Sequence, residues 1–466
     1  MFRYVIILAL SLPALFINTN NYCLADVKDE INALITEKTV DLALAKADSA
    51  LKADPKNVEL LILKGNIIFS RFSFKQPSIM TGVNCDESVY DNSIGYVGEA
   101  EITLPVAVAD SIVECFMMAS GIEPKREDIY YGICYIYSLS LQTEKLLSFL
   151  PVLKAGVTSD EETPYTLGDY ARNIKTRGSF DDAILIYKKI AALYPECSGI
   201  VNDIAVEYYF NGNFDKAKEY FAKALSFPKY DFETLSSAFT FYAICEENSL
   251  ALNTAKKKSE LLKDSDYLLY QALINLNDGS DWKTPLNGFL NSPTEDSSGV
   301  ELAKFMLSSG FDASFQAYGK IKDIELKDAY KIQLYKYFMK VLKNPVPQYD
   351  YAEALTYNAR YRDAVTAFKA IDTSKMSSGE KELYCFYYAW ALYKSGDHEK
   401  SCGLWEKLIN SSEFYYQSAA AFFIGEYYQE KGDKAKAKEY YSKVSDKATE
   451  SKFATYCWNR LNDIDK

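Results

Sequence analysis

Residues 170–195 read YARNIKTRGSFDDAILIYKKIAALYP, and residues 204–229 read IAVEYYFNGNFDKAKEYFAKALSFPK. Laid one above the other they match at an offset of 34 residues, with Gly178 over Gly212, Phe180 over Phe214, Ala183 over Ala217 and Tyr187 over Phe221. The pattern returns twice near the C-terminus. One copy carries Tyr388-Ala389, Gly396, Trp405 and Leu408; the next carries Ile424-Gly425, Gly432, Ala437 and Tyr441, with its glycine 36 residues on. Each copy has two apolar stretches of helical period, broken by Gly followed by Ser, Asn or Asp. Glycine accepts the positive φ that ends a helix, and the short polar residue after it caps the next one. Ala171, Ala205, Ala389 and Gly425 let the two helices of a pair approach closely, as do Ala183, Ala217 and Ala437 from the second helix. Tyr187, Phe221, Trp405 and Tyr441 fill the space between one pair and the next. A single hairpin cannot bury such a face, so the units must stack.

This pattern resembles the tetratricopeptide-repeat (TPR) family, whose 34-residue helix-turn-helix units stack into a right-handed superhelix. The resemblance is carried by 170–196, 204–225, 388–408 and 424–444. Weaker copies lie at Ala43, Ala47, Ala50 and Asp54-Pro55 followed by Gly65, and at 354–371 with Ala364 and Phe368 in the packing positions. It implies an all-α, TPR-like solenoid in two repeat blocks, 26–280 and 347–466, joined by a degenerate helical connector over 281–346. The pattern fails between about 72 and 104, where Pro77, Gly82, Gly95 and Gly98 read as a loop inserted within one unit, a candidate contact element. Residues 278–299, with Gly279, Pro285, Gly288, Pro293 and Gly299, form a second break. Residues 450–463 read as the polar-faced helix that closes such an array.

The 466 residues are 48% hydrophobic and carry a net charge of −12, enough apolar content to bury a core and the wrong sign for nucleic acid. Residues 1–25 read as a secretory signal. Arg3 precedes an apolar run from Tyr4 to Ile17, too short for the roughly 20 residues of a membrane span, and Cys23-Leu24-Ala25 supplies small residues for cleavage after Ala25. The mature chain is therefore expected to have no transmembrane span and to lie in the periplasm or cell envelope. Asn20-Asn21-Tyr22 lacks the small apolar residues that lipidation of Cys23 requires. The cysteines beyond it, Cys85, Cys115, Cys134, Cys197, Cys245, Cys385, Cys402 and Cys457, show no CxxC spacing and sit mostly in apolar helical stretches, so buried thiols are expected rather than a disulfide framework.

Catalytic signatures are absent from the sequence: it has no GxSxG, Walker loop, GxGxxG or HExxH. The single histidine, His398, reads as an exposed turn residue, and pairs such as Glu161-Glu162 and Glu246-Glu247 read as solvated faces. No enzyme activity, cofactor or metal is expected. The TPR resemblance implies instead a concave groove lined by the first helix of each unit. Carried over, its positions are Phe386, Trp390, Tyr393, Lys394, Phe422, Glu426, Gln429 and Glu430 in the C-terminal block, and Tyr165, Arg172, Lys175, Asn202, Val206, Tyr209 and Phe210 in the N-terminal one. With so few cations there, recognition of a partner's C-terminal carboxylate is disfavoured. The expected function is a non-catalytic exported scaffold that holds a protein or peptide partner. A small-molecule or lipid-binding accessory role in envelope transport or assembly is the alternative, and an enzyme on an α/α scaffold the remote one.

Overall fold

The computed structural model describes residues 22–36, 38–74, 104–157, 162–177, 179–262, 265–312, 314–342 and 344–464. Among them the regular elements are 24 α-helices and two short 3₁₀ turns, with no strand. The first eight helices are α1 (Tyr22–Ala33), α2 (Val40–Ala53), α3 (Val58–Phe74), α4 (Val106–Ile122), α5 (Glu127–Leu139), α6 (Thr143–Gly156), α7 (Thr163–Arg177) and α8 (Phe180–Leu193). Next come α9 (Ser198–Phe210), α10 (Phe214–Ala224), α11 (Phe232–Ile244), α12 (Asn248–Leu262), α13 (Asp266–Asp278), α14 (Lys283–Leu290), α15 (Ser297–Leu307), α16 (Phe315–Lys322) and α17 (Asp328–Leu342). The last seven are α18 (Pro345–Tyr357), α19 (Tyr361–Lys369), α20 (Ser378–Lys394), α21 (His398–Trp405), α22 (Phe414–Glu430), α23 (Lys434–Ser442) and α24 (Lys452–Asp463).

The described residues divide into two units, one drawn from 22–74, 104–157 and 172–182, the other from 162–171 and 183–464. In the first unit each helix from α1 to α6 packs on its sequence neighbour. Ile31, Val40, Ala43, Ala47, Leu60, Leu63 and Ile67 form one end of its core. The ring of Phe116 fills the space left by Gly65 and Gly132, where an added Cβ would lie 2.6 Å and 3.2 Å from it. The insertion expected at about 72–104 falls between the paired helices α3 and α4, and 75–103 lies outside the described residues.

In the second unit α9 pairs with α10, α11 with α12, α18 with α19, α20 with α21 and α22 with α23, and α24 closes the end against α22 and α23. The small and large positions read from the sequence are core: Ala183, Ala205, Ala217, Ala389 and Ala437 are fully buried, as are Tyr187, Phe221 and Tyr441, with Trp405 nearly so. The break expected at 278–299 holds α14 and the start of α15. Pro285 lies in the first turn of α14, where a missing N–H breaks no helical bond, so it opens the helix rather than preventing it. Helix α17, from the connector, packs against both α11 and α13.

One turn geometry recurs, at Gly279 (φ 71°, with the Ser280 N–H on the Asn275 carbonyl at 2.8 Å) and in six further hairpins. Gly212, Gly396 and Gly432 have φ of 75°, 91° and 78°. In each case the next residue's N–H returns to a carbonyl five residues back: Asn213 to Tyr208, Asp397 to Leu392 and Asp433 to Tyr428, all at 2.9 Å. These are Schellman turns. The side chains of Asn213, Asp397 and Asp433 then accept from the N–H of Lys216, Lys400 and Lys436, capping the second helix. Leu141, Glu246 and Ala359 occupy the same place with φ of 55°, 58° and 57°, and Gln142, Glu247 and Arg360 make the same return bond. Those three hairpins keep the turn without its glycine.

Two substitutions separate turn strain from packing. Gly432 has open space around its Cβ position, so Gly432→Ala adds only the left-handed strain of about 1–2 kcal/mol. At Gly425 the new methyl overlaps the ring of Tyr441, and Gly425→Ala costs about 1–3 kcal/mol through overpacking. Urea denaturation of the two variants checks both figures. A second change, Tyr441→Leu, is expected to rescue Gly425→Ala in part and Gly432→Ala not at all.

Candidate binding cleft

The first helices of three successive hairpins, α18, α20 and α22, bring seven side chains around a cavity of about 240 Å³. Tyr357 comes from the end of α18, Phe386, Tyr387 and Trp390 from α20, Tyr415 and Tyr416 from the start of α22, and Glu413 from its N-cap. The rings brace one another: Tyr357 on Tyr387 with centroids 5.3 Å apart, Phe386 on Tyr416 at 5.2 Å and Phe386 on Tyr415 at 5.7 Å. Tyr387 and Trp390 stack at 6.3 Å, one turn apart on α20. Trp390 is 5% exposed, and its indole Nε1 has no hydrogen-bond partner among the described residues. Among the described residues, no lysine or arginine lines the cavity.

Behind this wall sits Glu353, one turn before Tyr357 on α18. Its Oε1 accepts from the Tyr349 hydroxyl at 3.2 Å, and the Tyr387 hydroxyl, itself bonded to that of Tyr357, also stabilises it. Burial and then the charge of Asp350 push its carboxyl up to about 7, against smaller opposing effects of Tyr349, Lys322 and Tyr387. Asp350 is satisfied by the Tyr318 hydroxyl and by Lys322 at 3.0 Å. Glu353 has no ion-pair partner among the described residues.

Phe386 and Trp390, both expected at the groove, line the cavity, but as buried members of the core cluster that presents it. The other expected C-terminal positions are used internally. Tyr393 stacks on His398 at 4.6 Å, and His398 Nδ1 lies 2.6 Å from Glu430, so this histidine is a half-buried contact rather than an exposed turn residue. Glu426 holds Arg460 of α24 through two bonds of 2.8 and 3.0 Å. The Tyr441 hydroxyl donates to Glu426 at 2.6 Å and to Gln429 at 3.0 Å. Phe422 packs on Phe453 and Tyr456. Helix α24 therefore covers the α22 positions that the next unit would otherwise meet. Lys394 is exposed.

The N-terminal set is divided between the two units. Arg172 and Lys175 belong to the first unit, while Tyr165, Asn202, Val206, Tyr209 and Phe210 belong to the second. Asn202 and Tyr209 are buried, and Phe210 and Val206 half-buried. Tyr209 donates to Asn358 at 3.4 Å, and Arg360 reaches the carbonyl of Ile244 at 2.5 Å. The turn between α18 and α19 thus seals the ends of α9 and α11 from within the chain. Glu246, read as a solvated face, is half-buried at the same closure. Burial alone would raise its pKa, but Lys336, Tyr351 and Arg360 together hold it below the usual carboxylate range.

A second cavity, of about 440 Å³, is lined by Asn248, Asn277, Asp278, Gln333, Lys336, Met339, Lys340 and Gln348. Several of these bond one another, as Asn277 Nδ2 does the Gln333 carbonyl at 2.9 Å and Lys340 the Asn277 carbonyl at 3.2 Å. Among the described residues no cluster of His, Cys, Asp and Glu is arranged to hold a metal ion. None of the described helices is long and apolar enough to cross a membrane. The described cysteines from Cys115 to Cys457 carry free thiols, with Cys115, Cys134, Cys402 and Cys457 buried; Cys85 lies outside the described residues. The leader expected at 1–25 lies outside them up to residue 21, and α1 runs across its cleavage position at Ala25.

A tetratricopeptide-repeat family model matches residues 200–229, the α9–α10 hairpin, and 418–446, the α22–α23 hairpin. Among solved structures the chain is similar to that of MamA, at 19% identity over 42% of this chain and 92% of that one, with a TM-score of 0.25. It is also similar to the P58(IPK) TPR domain, at 9% identity over 94% and 97% of the two chains, with a TM-score of 0.22. A third is Naa15/Naa10 bound to HypK-THB, at 14% identity over 91% and 63%, with a TM-score of 0.25. No curated protein sequence matches the chain. The fold is that of an all-α helical-hairpin repeat protein. Two of its hairpins, at 200–229 and 418–446, match the tetratricopeptide repeat.

Glu353 gives the cleft a pH signature. The folded chain holds a proton on this carboxyl up to about pH 7, whereas a carboxyl at its ordinary value of 4.5 has released it. Glu353 is therefore harmless below about pH 4.5, costs progressively more stability between about pH 4.5 and 7, and costs no more above that. Glu353→Gln is expected to match the parent at pH 4 and to exceed it by roughly 1–3 kcal/mol at pH 8. Paired urea titrations at the two pH values measure the difference.

Proposed function

We propose that this protein is a non-catalytic, exported scaffold that holds a protein partner through the cleft between α18, α20 and α22, in the periplasm or cell envelope. The observation that carries the reading is the cleft itself. Its aromatic walls stand on the first helices of consecutive hairpins, the face that repeat arrays use for binding, and large rings supply contact area at low entropic cost. Bracing by Phe386 and Trp390 keeps those walls rigid, so little freedom is lost when a partner is seated. Export is supported by the charged start and apolar run at Arg3 to Ile17. The function needs no cofactor: the hairpins hold a shape, and the partner is bound in simple proportion.

The alternative, a small-molecule accessory role, draws on the cavity beside α13 and α17. Its volume of about 440 Å³ falls in the range of small-ligand sites. Its amide and lysine lining suits a polar molecule and disfavours a lipid.

The test is affinity capture by the mature chain (Asp26 onward) from its own envelope extract, beside a Tyr357→Ala/Tyr416→Ala double variant of equal helicity. A protein retained by the parent and lost by the variant is the expected result. Equal retention by both places the partner elsewhere on the chain and removes the cleft from this reading.

A further inference from the structure

We propose that the cleft is a cage for one positively charged side chain, a lysine ammonium or an arginine guanidinium, presented by the protein partner. This inference rests on the scaffold reading above and names the chemistry of its occupant. Three observations carry it. The first is size: about 240 Å³ lies below the 300–1,000 Å³ typical of small-molecule sites, so the cavity suits a single side chain rather than a whole ligand.

The second is charge. Tyr357, Tyr387, Trp390 and Tyr416 turn aromatic rings toward a space that no basic residue of this chain enters. Such rings attract a cation through their quadrupoles. Burial and then the carboxylates of Glu413, Glu382 and Glu353 disfavour ionisation of the Tyr416 hydroxyl, so the acidic groups around the cage are not matched by a basic one in its lining. Glu353, hydrogen-bonded by tyrosines and without an ion pair among the described residues, keeps its proton up to about pH 7, and a bound cation would favour its charged form and balance that charge.

The third is the indole N–H of Trp390, buried at the wall with no acceptor among the described residues. Burying a donor without an acceptor is costly. An amine carries no carbonyl, whereas a lysine or arginine within a polypeptide carries one beside the cationic side chain. The pairing of a cation cage with an unmet donor therefore favours a polypeptide over a free amine.

The test uses the full mature chain labelled with 5-fluorotryptophan, with the ¹⁹F signal of Trp390 assigned by Trp390→Phe. The probes are Ac-Ala-Lys-Ala-NH2 and Ac-Ala-Arg-Ala-NH2, the neutral Ac-Ala-norleucine-Ala-NH2, n-butylammonium chloride, and sodium chloride at matched ionic strength. At least one cationic peptide is expected to shift Trp390 saturably, while the norleucine peptide and sodium chloride leave it in place. Glu413→Gln, at an exposed position that cannot compromise folding, is expected to weaken that peptide by about threefold, and Glu353→Gln by about tenfold. Equal response to the norleucine peptide overturns the cation assignment. So does unchanged affinity in both variants. Saturation by n-butylammonium with no response to either peptide overturns the polypeptide source. If no cation binds while partner capture still depends on Tyr357 and Tyr416, the cage falls and the scaffold reading stands. If a cationic peptide binds and capture does not depend on those tyrosines, the reverse holds.

Discussion

Seven of the described hairpins reverse direction at one residue held in the left-handed region, and their stacking follows from that reversal. The positive φ brings the following N–H back onto a carbonyl of the first helix and so sets where the second helix starts. From there Ala217 reaches the core shared with α9, and Phe221 meets Phe241 of the next hairpin at 4.8 Å. At the C-terminal end, Gly432 sets α23 so that the Tyr441 ring occupies the space vacant at Gly425. A large ring against a glycine or alanine is a tight fit with little tolerance. The turn must therefore be reproducible, and seven hairpins spend left-handed strain, or a glycine, to keep it so.

This explains how far the fold could be read. At Gly212, Gly396 and Gly432 the repeat is visible in the sequence together with the capping residue after the glycine, whereas at Gly279 the same glycine turn is hidden by the short, proline-bearing helix that follows it. Where the turn residue is Leu141, Glu246 or Ala359, the backbone is the same and the signature is gone, because tertiary packing carries a strain of about 1–2 kcal/mol that glycine avoids. The α5–α6 and α11–α12 hairpins went unrecognised for this reason. Pro285 misled in the other direction. A proline and glycine cluster ordinarily marks a loop, but a proline in the first turn is compatible with a helix.

The cleft was legible only through Phe386 and Trp390, which share a face of one helix. Tyr357, Glu413, Tyr415 and Tyr416 join them across hairpin boundaries, and that juxtaposition depends on how far each unit steps along the stack. Periodicity within a helix contains no such distance. The positions that were read as groove and proved internal share a cause. Phe422 and Glu426 lie under α24, and Tyr209 lies under the turn from Asn358 to Arg360. In both cases a segment remote in sequence occupies the face that a regular repeat would leave open.

Glu246 and Glu353 show what separates a structural carboxylate from one available to a ligand. Both are partly buried, both meet tyrosine hydroxyls, and burial is the largest influence on each. Glu246 sits where α17 and α19 bring Lys336 and Arg360 against it, and the two cations overcome the cost of desolvation. Its charge is consumed in holding remote segments together. At Glu353 the nearby cation, Lys322, is bound to Asp350, and the like charge of Asp350 adds to the penalty. A carboxylate whose neighbours are hydroxyls and another carboxylate gains more from an incoming cation than one already neutralised. The fold supplies that cation at Glu246 and leaves it out at Glu353, directly behind the aromatic wall of the cleft.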